Sequence, residues 1–187
     1  MLGKARIPLQ IDVGFGDAVT PSPQEIAFPT MLDFPAPSLR AYRPETVIAE
    51  KFHAMVDLGL RYTQMKDFYD VWKLSQQFEF DGQIIAEAIR ATFARRLTPL
   101  PSVTPLALSD KFASDPLKTS QWTAFLRKSA LKDQETSLAE VVNLLEGFLL
   151  PALEAAQTGE RFARRWVSGG SWEAATTISS SENESQD

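Results

Sequence analysis

The chain has 187 residues, 44% of them hydrophobic, enough for one sizeable core and a small subdomain. Nineteen basic residues against twenty-four acidic ones give a formal net charge of -5, which excludes a molecule-wide basic field for nucleic acid, so any phosphate binding is local. The lack of cysteine excludes disulfides and thiolate metal sites, the lone His53 excludes a multi-histidine site, and no apolar run reaches the ~20 residues that span a bilayer. Met1-Leu2-Gly3-Lys4-Ala5-Arg6 also lacks the apolar core of a signal peptide, so the expectation is a soluble, cytoplasmic protein without a membrane partner.

From Ile7 to Val13, apolar Ile7, Leu9, Ile11 and Val13 alternate with Pro8, Gln10 and Asp12, the period of a half-buried strand. Gly14-Phe15-Gly16-Asp17 ends it in a tight turn, leaving Asp12 near the strand's end. A proline-rich, extended stretch follows to Arg40, with short strands expected at 26–28 and 39–42. Pro44 suits a first helical position, and Ile48, Phe52, Met55 and Val56 carry that helix to Leu58, where Gly59 closes it.

A second helix is expected from Met65 to Phe78, with Met65, Phe68, Tyr69 and Trp72 on an apolar stripe and Asp67 and Asp70 beside it. Asp81 should cap a third, whose buried side carries Ile84, Ile85, Ala88, Ile89 and Phe93. Leu106 to Ala113 reads as a short helix or irregular segment, and Asp115-Pro116 opens a helix through Trp122 to about Ser129. Ser137 and Glu140 form a capping box for the longest helix, which Pro151 is expected to kink or interrupt before Leu153. From Ser168 onward the Gly-, Ser-, Asn- and Glu-rich composition predicts a disordered or loosely docked tail.

Candidate chemistry concentrates in the second helix. On spacing alone Asp67 and Asp70 read as a solvated face paired locally with Lys66 and Lys73, each pair contributing ~0.2–0.5 kcal/mol. Lys51 alone reads as an exposed lysine lying along its own helix. Aspartate is depleted in strands, so Asp12 points equally to a task or to a cap on the following turn. His53 reads as a structural hydrogen-bonding or solvent-facing residue, and Arg90, Arg95, Arg96, Arg127 and Lys128 as solvated helix ends rather than an anion surface.

The stretch from Ile11 to Asp17, the run Tyr42-Arg43-Pro44-Glu45-Thr46-Val47-Ile48-Ala49-Glu50-Lys51, Arg61, and Met65-Lys66-Asp67-Phe68-Tyr69-Asp70 occur in an order that resembles the abortive-infection nucleotidyltransferase toxin family of the AbiEii/AbiGii type. Phe80-Asp81-Gly82, Ala91 to Arg96 and Gln121-Trp122 extend the resemblance over most of residues 7 to 130. It implies a mostly helical α+β fold, with part of a polymerase-beta-like nucleotidyltransferase sheet in residues 1–43, a helical bundle in 44–167, and the tail in 168–187. It also implies the toxin of a bacterial toxin–antitoxin or abortive-infection system, with Mg²⁺ and a nucleoside triphosphate as cofactors, an antitoxin as partner, and a nucleic-acid acceptor left open. In that family divalent metal held by three carboxylates neutralises the triphosphate and activates the attacking oxygen.

By resemblance, Asp12 is the third of those carboxylates and a metal ligand, Lys51 grips phosphate, and Asp67 and Asp70 match a late acidic motif, so that all four are candidates for catalytic roles. Arg61 and Lys66 stand beside them as further nucleotide contacts. The chain departs from the family in one respect: it has no Asp-x-Asp and no glycine turn ahead of one. The expectation is therefore a truncated or degenerate nucleotidyltransferase with a partial nucleotide pocket, inactive as this chain. Two other readings stay open: a non-catalytic helical protein that associates with a partner or with itself through a sheet edge, and metal-dependent hydrolysis at Asp67 and Asp70.

Overall fold

The computed structural model describes residues 8, 11, 19–129 and 136–175. Asp12 and most of the strand expected over 7–13 lie outside these residues. Of that stretch, Pro8 and Ile11 are described, and Ile11 is 83% exposed rather than on a buried face. Among the described residues no strand pairs with it, so it has no sheet face to bury against.

β1 (Gln24–Ala27) and β2 (Ser38–Ala41) form the short strands expected in the proline-rich stretch, antiparallel, with Gln24 opposite Ala41 and Ala27 opposite Ser38. α1 (Pro44–Leu58) begins on proline, whose fixed φ and missing N–H suit a first helical turn. It stops at Gly59, where φ is 50° and a side chain would be strained. A 3₁₀ turn (Gly59–Arg61) and an extended link at Tyr62 lead to α2 (Met65–Gln77).

β3 (Phe80–Asp81) runs directly into α3 (Gly82–Arg95), whose cap is the Asp81 carboxylate accepting from the Ile84 N–H. A second 3₁₀ turn (Leu106–Leu108) precedes the one-turn α4 (Asp110–Ala113), resolving the segment expected to be short or irregular. α5 (Pro116–Lys128) is capped by Asp115, which accepts from the N–H groups of Leu117 and Lys118.

α6 (Leu138–Thr158) carries the predicted capping box, with Ser137 and Glu140 accepting reciprocally. Those bonds hold the Glu140 carboxyl below the usual glutamate range. Pro151 does not interrupt the helix. Phe148 and Leu149 before it and Ala152 and Leu153 after it are buried on the same core, and this packing carries the helix past the hydrogen bond that proline cannot donate.

The fold is mostly helical α+β. α6 packs across α3 and α2, and α1 packs on α3. Phe52, Phe68, Phe93, Phe112 and Phe148 fill the space between these helices. Of the loose tail expected from Ser168, residues 176–187 lie outside the described residues, and the part up to 175 is corrected by a hairpin: β4 (Arg164–Val167) and β5 (Ser171–Ala174) pair antiparallel, and β4 adds β3 on its other side. Gly169 and Gly170, at φ of 95° and 146°, make the turn. Apolar stacking holds the hairpin, since Trp172 lies parallel to Phe148 at 5.7 Å and edge-on to Trp166 at 5.4 Å. Two indoles outweigh the polar composition around them, which a composition argument could not weigh.

Candidate functional site

α1 and α2 face each other across the link at residues 59–64, and the polar residues left off their buried stripes meet in the gap. α1 buries Ile48, Ala49, Phe52 and Met55, which leaves Lys51 at the edge of the core. α2 buries Met65, Phe68, Val71 and Ser75 in the core and sets Tyr69 against Trp122 and Phe125 of α5, so the face that remains toward α1 carries Asp67 and Asp70. This solves the problem of two acids beside an apolar stripe: their partner comes from the other helix.

The Lys51 ammonium bonds Asp67 Oδ1 and lies 3.0 Å from Asp70 Oδ2. Asp70 Oδ2 also accepts from Lys66, one turn back on the same helix. The second oxygen of Asp67 accepts from the Tyr62 hydroxyl. Burial acts to lower the Lys51 pKa, and the hydrogen bonds and charges of the two aspartates overcome it, so the ammonium titrates above its ordinary 10.5. Burial first, and then the bond to Asp67, push the Tyr62 phenol far above its ordinary value, which keeps it a proton donor at every ordinary pH.

Of the residues singled out from the sequence, Lys51, Asp67, Asp70 and Lys66 therefore converge, although Lys51 and Asp67 are 16 positions apart. Arg61 is exposed on the 3₁₀ turn next to Tyr62, and among the described residues it makes no bond to the cluster. Lys73 does not join the aspartates and lies over the Trp72 ring at 5.6 Å. His53 bonds Thr98 at 2.8 Å, a structural role, and Arg90 donates to the carbonyls of Ala155 and Ala156 at the end of α6. Gly169 and Gly170 lie in the β4–β5 turn and Ser171 opens β5, on a different part of the fold from the cluster.

Sequence reasoning missed Tyr62 and, behind it, Lys118. Tyr62 lies in a connector without periodicity, so nothing local marked it. Lys118 gave one weak signal, a lysine in the first turn of a helix, where the macrodipole disfavours a cation.

The donor set does not suit a divalent ion. Both oxygens of Asp67 are engaged by Lys51 and Tyr62, and Asp70 Oδ2 is shared by two ammonium groups. Among the described residues no three acidic or histidine side chains gather as metal ligands. A cation placed between the aspartates would have to displace Lys51. The ammonium itself suits phosphate, because it has three protons and the aspartates take two.

The model of one protein family, described as the AbiEii nucleotidyl transferase toxin of a type IV toxin–antitoxin system, matches residues 1–156. The chain belongs to the AbiEii family. The match spans α1, α2 and the lysine–aspartate cluster, and it bears out both the family resemblance and the mostly helical α+β fold. No curated protein and no solved structure matches the chain. Among the described residues of this AbiEii-family chain, no helix is long and apolar enough to cross a membrane.

Proposed function

We propose that this chain is a nucleotidyltransferase-like toxin component whose Lys51 grips a phosphate of a nucleoside triphosphate, with Asp67 and Asp70 orienting the ammonium. The observation that carries the reading is the double pairing of Lys51, which fixes the side chain and leaves one proton for a phosphate oxygen. Asp67, Asp70, Lys51 and Lys66 sum to zero charge, so attraction comes from directed hydrogen bonds rather than from a positive field. Weak affinity follows. Arg61 and Lys66 follow Lys51 in sequence and are the further candidates for phosphate contacts.

Nucleotidyl transfer needs more than this cluster. The family chemistry uses divalent metal on several carboxylates, Asp12 is the remaining candidate ligand in the sequence, and the chain has no Asp-x-Asp to join it. Titration with ATP, GTP, CTP and UTP, followed by calorimetry, should give saturable binding of at least one nucleotide without transfer of α-phosphate label to RNA or protein. Absence of saturable binding for all four would overturn the nucleotide reading. Label transfer lost in Asp12→Ala would overturn the prediction of inactivity.

A second reading, as a binding module for an antitoxin partner or a second copy, is favoured by one surface. Phe28, Met31, Leu32, Phe34 and Leu39, on and around the β1–β2 hairpin, are all exposed, and both strands have a free edge toward added strands among the described residues. Light scattering across a concentration series should then show a dimer that Phe34→Asp and Leu39→Asp together dissolve. A monomer at every concentration, with no partner recovered from cells, counts against this reading.

A further inference from the structure

Lys118 is 3% exposed, an unusual place for an ammonium, and among the described residues no carboxylate pairs with it. Its Nζ donates to the backbone carbonyl of Tyr62 at 2.8 Å and to Gln121 Oε1 at 3.5 Å, and lies over the Phe112 ring at 5.3 Å. Fifty-six positions separate it from Tyr62. A methionine would fill the same space without burying a charge, so core packing alone gives no reason for a lysine here.

What the ammonium holds is the link between α1 and α2. Tyr62 has its N–H on the Gly59 carbonyl at 3.0 Å, its carbonyl on Lys118, its ring against Phe68 at 5.9 Å, and its hydroxyl on Asp67. Phe68 in turn stacks on Phe112 at 5.1 Å, the ring under Lys118. The residue is thus fixed at every polar group it has, and its hydroxyl occupies the Asp67 oxygen that does not face Lys51.

We infer that Tyr62 and Lys118 are positioning residues for the Lys51 ammonium: Lys118 locks the Tyr62 backbone, the Tyr62 hydroxyl pins Asp67, and Asp67 aims Lys51. Neither touches the phosphate. The purpose assigned to the relay rests on the nucleotide reading above, whereas the relay itself does not need a nucleotide. Without the hydroxyl, Asp67 can rotate about its side chain, and Lys51 loses its fixed partner while Asp70 is shared with Lys66. Without the Lys118 ammonium, the Tyr62 carbonyl loses its donor and the 59–64 link loosens.

Competitive acetylation tests the relay directly. The folded chain is treated with a limiting N-hydroxysuccinimide acetate, and modification of Lys51 is measured by mass spectrometry relative to the exposed Lys111 and Lys128. Loss of one orienting hydrogen bond predicts a Lys51 ratio about 2- to 10-fold higher in both Tyr62→Phe and Lys118→Met. A merely structural role would lower the melting temperature and leave the ratio unchanged below it.

Tyr62→Phe removes a single oxygen and decides the question if Lys118→Met does not fold. In the unsubstituted chain, the Tyr62 hydroxyl proton should exchange slowly enough to appear by NMR. An unchanged ratio in folded Tyr62→Phe, or a rapidly exchanging hydroxyl proton in the parent, would overturn the inference. A parent chain that binds no nucleotide yet shows the ratio change removes the nucleotide reading and leaves the relay standing.

Discussion

Trp166→Ala should destabilise the chain by about 3–5 kcal/mol, a large share of the ~5–15 kcal/mol that holds a typical domain together. The indole is 1% exposed, centred on β4 opposite Phe80 of β3, and its ring lies 4.7 Å from Phe148 and 5.4 Å from Trp172. Its Nε1–H donates to the Ser75 carbonyl in α2 at 2.8 Å, so one side chain joins the C-terminal hairpin to α2 and α6. Alanine opens a cavity, removes two aromatic contacts and leaves that carbonyl with only the longer bond from the Gly169 N–H, at 3.3 Å. Trp172→Phe keeps a ring on Phe148 and should cost much less. Urea unfolding of the two variants checks the pair, and a loss under ~1 kcal/mol for Trp166→Ala would mean that the hairpin is not part of the core.

Lys51→Met should weaken nucleotide binding about 10- to 100-fold, the range expected when one hydrogen bond between an ammonium and a phosphate is removed. The methionine keeps the length of the stem, so the change reports the charge. Calorimetric titration with the nucleotide bound by the parent chain is the measurement, and equal affinity in the two proteins would show that phosphate binds elsewhere. The same substitution removes the cation shared by Asp67 and Asp70, and its effect on stability has a defined pH dependence. The folded-state pKa of Lys51 lies above its ordinary 10.5, so the stabilisation is complete below that value and is lost as pH rises past it through the folded pKa. The difference in stability between parent and variant should therefore be constant across neutral pH and shrink in strong alkali.

Much of the helical architecture could be read from the chain. Asp81, Asp115-Pro116 and the Ser137–Glu140 box each start a helix where expected, and Gly59 ends one. These signals work because a cap acts on backbone groups two or three residues away. The apolar stripes of α1 and α2 likewise follow from a 3.6-residue turn. Where the expectation differed, long-range packing decided the result: α6 continues through Pro151 because both halves bury against one core, and the chain after Ser168 is ordered through Ala174 because Trp172 finds Phe148.

The site divides the same way. The sequence by itself determined that Asp67 and Asp70 share one side of a helix and that Lys51 stands off the core face of another, since both facts are local to a helical turn. Family resemblance suggested that they belong together. Only the tertiary structure decided that Lys51 answers both aspartates, that Tyr62 takes the remaining oxygen of Asp67, and that Lys118 holds Tyr62 from 56 positions away. The physical reason is that capping and periodicity act over one turn of backbone, whereas the partner of a half-buried charge is set by which helix docks against it.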